Sequence, residues 1–263
     1  MSMNRQRAIW TFLGLAVSLI VAASLFGPDP YAIDLGRTLS PPGQDGVLGT
    51  DELGRSLGAR MLRGGVFSLT LMVSAACGSV ALGTLLGALS GWIGGWTDRS
   101  IRLLINFFWS MPVAVFAVLV LAILTPTLGS MLLTIVAINW VGSARIVRSA
   151  VGALRDSPHV LSARARGFTG VAVFAEEIMP NLWPLITLLL GFSAAEALAL
   201  EGGLSFLGAG PAPPTASWGA MLVAGLPYFL TAWWVAAIPA LAMVATVAVA
   251  RLLSRHLGIA MYR

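Results

Sequence analysis

Few residues in this chain carry chemistry, and their placement narrows what that chemistry is. Glu196 and Glu201 lie within one apolar stretch, five residues apart, which sets them roughly 140° apart around a helix. Carboxylates at membrane depth mark paths, relays or subunit contacts. His159 and His256 stand far apart in sequence, and neither has a partner at metal-ligand spacing. Cys77, the single cysteine, lies in an apolar segment, so it reads as a small packing residue with no disulfide framework or thiolate cluster. The chain contains no lysine. A phosphate-binding loop needs one to reach the β- and γ-phosphates, so any ATP-driven work must use nucleotide bound by another subunit. No nucleophile–base pair supports an enzyme of the membrane interior.

A polar stretch, Asp156–Pro180, interrupts two strongly apolar segments. Asp156 or Ser157 can cap a helix, Pro158 suits its first position, and Gly167 can close it in a left-handed conformation. The spacing predicts a helix of about nine residues, then a second helical piece reaching Pro180. A capped helix in a polar loop is a contact device. The simpler reading is a solvated linker.

The composition places these residues in a membrane. Of 263 residues, 57% are hydrophobic and 10% charged, against about 25% charged in a soluble domain. Six segments are long enough to span, near 8–26, 66–91, 101–124, 129–150, 181–201 and 231–253. The first is too long for a cleaved leader and reads as a retained span. Arginines cluster on one side: Arg5, Arg7, Arg99, Arg102, Arg145, Arg148, Arg155, Arg164, Arg166, Arg251, Arg255 and Arg263. The other side holds Arg37, Arg55, Arg60 and Arg63, diluted by acids. By the positive-inside rule both termini and the 156–180 loop are cytoplasmic.

On the opposite side, Thr50 or Asp51 can cap a short helix running to about Arg63. Residues 202–230 are uncharged and rich in Pro and Gly, the composition of a re-entrant or interfacial cap. Gly83, Gly87 and Gly91 are spaced for close helix contact. Pro112 and Pro239 fall within the third and sixth spans as kinks. No internal repeat is visible, unlike many secondary transporters.

Four motifs in order resemble the permease subunits of ATP-binding-cassette importers of the dipeptide/oligopeptide/nickel family. They are Leu48-Gly-Thr-Asp-Glu-Leu-Gly-Arg55, Gly91-Trp-Ile-Gly-Gly-Trp-Thr-Asp-Arg99, the loop Leu161-Ser-Ala-Arg-Ala-Arg-Gly167 with Pro180, and Leu204-Ser-Phe-Leu-Gly208 followed by Pro213, Pro214 and Ser217-Trp-Gly-Ala-Met-Leu222. Leu161 stands where the family carries glutamate, and Glu176 and Glu177 stand where relatives are often basic.

The resemblance implies an all-α polytopic fold of the type I importer permease, with six transmembrane helices. Its parts are a first helix with an extracytoplasmic segment (1–65), a five-helix core (66–255) and a short tail (256–263). It implies a non-catalytic inner-membrane subunit that binds no cofactor or metal itself, with ATP and Mg used by partners. Those partners are a second permease, two ATP-binding subunits, an extracytoplasmic solute-binding protein and lipid, with no nucleic acid. Coupling to the ATPase falls to Leu161, Ser162, Ala163, Arg164, Ala165, Arg166, Gly167 and Phe168. Glu201 matches a family glutamate and with Ser205 falls at the outer gate or in subunit packing, and Gly49, Thr50, Asp51, Gly54 and Arg55 form the extracytoplasmic motif. Glu196 has no family counterpart, and as a carboxylate in a span it lines the path or pairs with donors of the partner subunit. The cargo classes are di- and oligopeptides or nickel and metal chelates. The competing reading is an ion-coupled transporter using Glu196 and Glu201 as a proton relay.

Overall fold

The computed structural model describes residues 29–261, without the side chains of 257 and 259–261; the expected first span at 8–26 lies outside them. Among the described residues the elements are helical: α1 (Leu57–Ile93), α2 (Gly95–Ser110), α3 (Val113–Ile123), α4 (Leu128–Arg155), α5 (Pro158–Ala165), α6 (Gly170–Val173), α7 (Met179–Phe206), α8 (Trp218–Gly225) and α9 (Trp233–Met261). Four helical stretches are long and apolar enough to cross a membrane: 57–93, 128–155, 170–206 and 233–256. The pair α2–α3 makes a fifth, bent by 88°. The bend falls where Pro112 was expected to act. Met111, before the proline, is extended (φ −81°, ψ 132°), because the pyrrolidine ring excludes the helical conformation from its predecessor. At Pro239, in contrast, α9 continues as one helix.

The chain forms two compact units. One comprises residues up to Met72, Leu121–Met131 and Leu198–Val247; the other comprises Val73–Val120, Leu132–Ala197 and the residues from Ala248 onward. In the first unit, a polar segment leads into α1. A helix starting at Thr50 or Asp51 does not form: α1 begins at Leu57. Ser56 Oγ accepts from the Ala59 amide (3.4 Å), while Asp51 closes a separate turn. Asp51 Oδ1 accepts from the amides of Leu53 and Arg55, both at 3.0 Å. Gly54 (φ +70°) turns the chain there, and a Cβ would meet the Asp34 backbone. Thr50 Oγ1 accepts from the Ser40 amide (2.9 Å) and donates to the Arg37 carbonyl. Leu57, Ala216, Met221, Trp234 and Val235 form this unit's apolar core.

The second unit is organised by α1 against α4. A Cβ on Gly83 would lie 2.6 Å from the Trp140 carbonyl, one on Gly87 2.5 Å from that of Ala144, and one on Gly91 2.7 Å from that of Arg148. Two rows of four-residue steps therefore interlock at backbone distance. Phe108 packs against Phe116 and Trp140 with centroids 5.9 and 5.8 Å apart. Cys77 differs from expectation: it is exposed.

Gly87→Ala is expected to destabilise the purified protein by about 1–3 kcal/mol, since a backbone carbonyl cannot yield to the methyl. Gly152→Ala on α4, with open space around it, is expected to be neutral or slightly stabilising. Thermal unfolding of the two variants in detergent checks the contrast.

Candidate functional site

The polar loop after α4 has the predicted capped helix. Ser157 is the N-cap residue and Pro158 the first helical position, although the Ser157 hydroxyl donates backward to the Leu154 carbonyl (2.5 Å). The helix is eight residues long and ends in a Schellman closure. Phe168 N–H donates to the Ala163 carbonyl (3.3 Å), Gly167 N–H to that of Arg164 (2.9 Å), and Gly167 takes φ +87°. Two residues turn inward: Val160 and Ala163 are buried with Val147, Val151, Val173 and Ile178. The other face is open. Leu161 is 51% and Phe168 42% exposed, and Ser162, Arg164, Ala165, Arg166 and Gly167 are exposed beside them. The arginines fold back on the chain. Arg164 lies 4.6 Å over the Trp92 ring and Arg166 5.2 Å over Phe168, with Arg166 also 3.9 Å from Glu177.

The helical piece after Gly167 does not stop at Pro180. Thr169 caps α6, accepting from the Ala172 amide (3.3 Å). A π-helical turn, Phe174–Ile178, then joins it directly to α7. Pro180 has no N–H to donate and its ring crowds the carbonyl four residues earlier. The wider turn just before it accommodates the ring, and Asn181 Nδ2 donates to the Glu177 carbonyl (2.6 Å). Residues 170–180 are thus the start of a spanning stretch.

The loop's base is held by contacts that sequence reading did not assign. Asp98, in the second motif, receives Arg148 Nε at 2.5 Å, Arg148 Nη2 at 3.1 Å and the Ser90 hydroxyl at 2.6 Å. Arg155 Nη1 donates to the Gly91 carbonyl (3.4 Å). Asp98 and Arg148 are fifty positions apart. The only cue in the sequence was a lone acid beside paired glycines.

In the first unit, Glu201 and Ser205 come together at the start of α8. Glu201 is fully buried, and its Oε1 accepts from the Gly219 amide (3.1 Å); the Ser68 and Ser217 hydroxyls act on the same carboxylate. Ser205 is buried, and a Cβ on Gly219 would lie 3.0 Å from its Oγ. Trp218 reaches back to α1, its amide donating to Ser68 Oγ and its indole to the Met61 carbonyl, both at 3.0 Å. Ser68 and Trp218 were not foreseen as Glu201's setting. Glu196 belongs to the other unit and is exposed on α7, with Arg251 as the nearby counter-charge.

The third group is the motif of Gly49, Thr50, Asp51, Gly54 and Arg55. Asp51 Oδ2 receives Arg55 Nε at 2.7 Å and Arg60 Nε at 3.2 Å, and Glu52 receives Arg55 Nη2 at 2.8 Å. Asp51 and Arg60 are buried, so the cluster fixes the entry to α1. On the exposed segment before it, the Arg37 guanidinium and the Gly36 amide hold the Asp34 carboxyl below its ordinary range.

These features define a multi-pass membrane permease: apolar spanning helices, a structured polar loop and a charged segment clamped to the first described span. The chain belongs to the binding-protein-dependent transport system inner membrane component family, whose model matches residues 83–261. It is a permease subunit of an ATP-binding-cassette importer. It is 33% identical to the dipeptide transport system permease protein DppC of Bacillus subtilis, over 74% of this chain and 61% of that one. It is 30% identical to the oligopeptide transport system permease protein OppC of Mycobacterium bovis, over 90% and 83%. In fold it is similar to a chain of the inward-facing MetNI methionine ABC transporter. That match has a TM-score of 0.63 and 17% identity, and covers 77% of this chain and 96% of the other.

Two variants test the interior contacts. Asp98→Ala is expected to cost about 1.5–3 kcal/mol by leaving Arg148 unmatched. The double variant Asp98→Ala/Arg148→Ala should cost less than the sum of the singles, and a double-mutant cycle by chemical unfolding measures the difference. Glu201→Leu removes the acceptor of the Gly219 amide and is expected to cost about 1–3 kcal/mol, with Glu201→Gln, which keeps a carbonyl there, costing less. The same unfolding measurement ranks the pair.

Proposed function

We propose that this chain forms half of the translocation path of a bacterial inner-membrane importer of di- and oligopeptides. A second permease supplies the other half, two ATP-binding subunits drive it, and an extracytoplasmic solute-binding protein delivers cargo. The relatives named for dipeptide and oligopeptide transport support peptide cargo over the nickel or metal-chelate cargo that the sequence motifs also allow. In this reading six spans cross the membrane, both termini are cytoplasmic, and ATP and Mg are bound by the partners. The observation that carries it is the loop helix. It is rigidly closed at both ends, packed inward by Val160 and Ala163, and open on the face of Leu161, Ser162 and Ala165.

A helix held this way transmits displacement. Movement of an ATPase against Leu161–Phe168 passes across the short turn at Arg166–Thr169, which the helix closure and the Thr169 cap hold, into the continuous helical stretch 170–206. The spans then change between inward- and outward-facing arrangements, and cargo moves because its affinity differs between them. Leu161 gives the contact an apolar centre in place of a carboxylate. Arg166, folded onto Phe168 and near Glu177, presents its stem more than its charge, whereas Arg164, over Trp92, keeps its charge at the exposed surface. Glu196, exposed on α7, lines the path; Glu201 and Ser205 hold α8 in place beside the gate; the Gly49–Arg55 motif anchors the extracytoplasmic segment. A proton relay through Glu196 and Glu201 needs both carboxylates on one accessible route, whereas Glu201 is fully buried and Glu196 is exposed.

The test is peptide uptake into proteoliposomes holding the complete importer, with and without ATP. Uptake is expected to stop when either ATP or the ATP-binding subunits are omitted; accumulation by the permeases alone would overturn the reading. In the same assay Gly167→Val, at φ +87°, is expected to lower ATP-driven uptake about tenfold or more. A β-branched residue disfavours that conformation, while membrane abundance should stay unchanged. Wild-type uptake by this variant would remove the loop helix from its coupling role.

A further inference from the structure

A groove of about 620 Å³ runs along one face of α1 and is closed on the other side by α6 and α7. On α1 its lining follows the helical repeat from Cys77 through Leu85 to Trp92; opposite stand Phe174, Trp183 and Leu190. Its lining is almost wholly apolar and contains no acidic residue. From Cys77 to Trp92 the helix rises about 22 Å, more than the roughly 15 Å that one leaflet takes of a 30 Å hydrocarbon core. At the Trp92 end the apolar walls give way to charge. Trp92 stacks on Phe174 with centroids 5.7 Å apart, and the Arg164 guanidinium covers the Trp92 ring at 4.6 Å. Arg166, on the same loop helix, is 3.9 Å from Glu177, so Arg164 is the arginine left to offer its charge at the groove mouth.

We infer that this groove holds one acyl chain of an anionic phospholipid, with the phosphate at Arg164 and the headgroup against the loop helix. The shape, the length and the charge gradient each fit that occupant. An apolar trough one leaflet long takes a chain, and a guanidinium at its mouth takes a phosphodiester. An empty trough of this length would forfeit the dispersion contacts of both walls. The lipid then bridges the span α1 and the segment that enters α7, so membrane composition acts on the loop helix through a filled wall. This inference rests on membrane embedding and stands whether or not the cargo is a peptide.

The assembled importer is reconstituted in phosphatidylcholine vesicles containing phosphatidylglycerol, with a photoactivatable acyl chain on one lipid or the other. After irradiation, adducts are mapped by peptide mass spectrometry. Adducts are expected on Leu85, Trp92 or Trp183, favouring phosphatidylglycerol about fivefold, the preference expected of one arginine at the surface. Arg164→Gln should bring that ratio close to one, and Ala81→Trp, which fills the trough, should abolish the adducts in a complex that still elutes as assembled. Three results would overturn the inference: no groove adducts, equal labelling by both lipids in the wild type, or disulfide capture of Cys77 by a cysteine placed in residues 8–26 or in the second permease. The last result would mean that a protein segment fills the groove.

Discussion

Hydrocarbon offers no hydrogen bonds, so a chain crossing it must answer each buried polar group from within. Inside the spans it applies to Glu201, and burial makes a like demand on the charges at the span ends. Asp98 is met by three guanidinium nitrogens, two of Arg148 and one of Arg102, and a hydroxyl, and Asp51 by two backbone amides and two arginines. Glu201 Oε1 accepts from the Gly219 amide near the start of α8. For Asp98 and Glu201 the partner comes from another helix, so satisfying the charge also fixes geometry. Removing one partner of such a set costs more than the set contributes in net stability, because the remaining group is stranded.

The glycine row of α1 serves the same end by a different route. Its three missing side chains let α1 lie against the α4 backbone, and that approach places Gly91 beside Arg148 and Arg155. The ion pair at Asp98 and the bond from Arg155 to Gly91 then form where α4 ends. The loop helix, two residues later, therefore starts from an anchored base. Without the close approach, Arg148 would have to span a wider gap, and Asp98 would lose its two-nitrogen contact with it.

Much of this was legible in sequence, and the divide has a physical basis. Local rules sufficed where the determinant was local. Pro158 and Gly167 bounded the loop helix, Met111-Pro112 broke the third span, and four-residue glycine spacing marked the packed face of α1. Two local readings went astray because a neighbour outbid them. Asp51 has the chemistry of a helix cap, but Arg55 and Arg60 draw its carboxylate into a turn, and the helix waits until Leu57. Pro180 has the chemistry of a stop, but the preceding π turn lets the helix pass. Cys77 was read from the apolarity of its segment, which says that a residue avoids water and not that it is packed. Pairings across long separations, Asp98 with Arg148 and Glu201 with Gly219, have no local cue. They follow from which helices meet.

The two carboxylates of α7 show how one helix can carry opposite roles. Five positions separate them, far enough around the helix that one cannot share the other's surroundings. Glu201 meets a helix start, where amides converge and the backbone dipole favours negative charge. Its Oε1 is therefore matched by the fold, and moving it would unseat α8. Glu196 has no such setting: it is exposed in a stretch where exposure means lipid, a partner or a path. Exposure to lipid is the costliest of the three for a carboxylate, and Arg251 nearby offsets only part of that cost because it is itself exposed. The face of α7 that bears Glu196 is therefore open in this chain, and the face that bears Glu201 is packed within it.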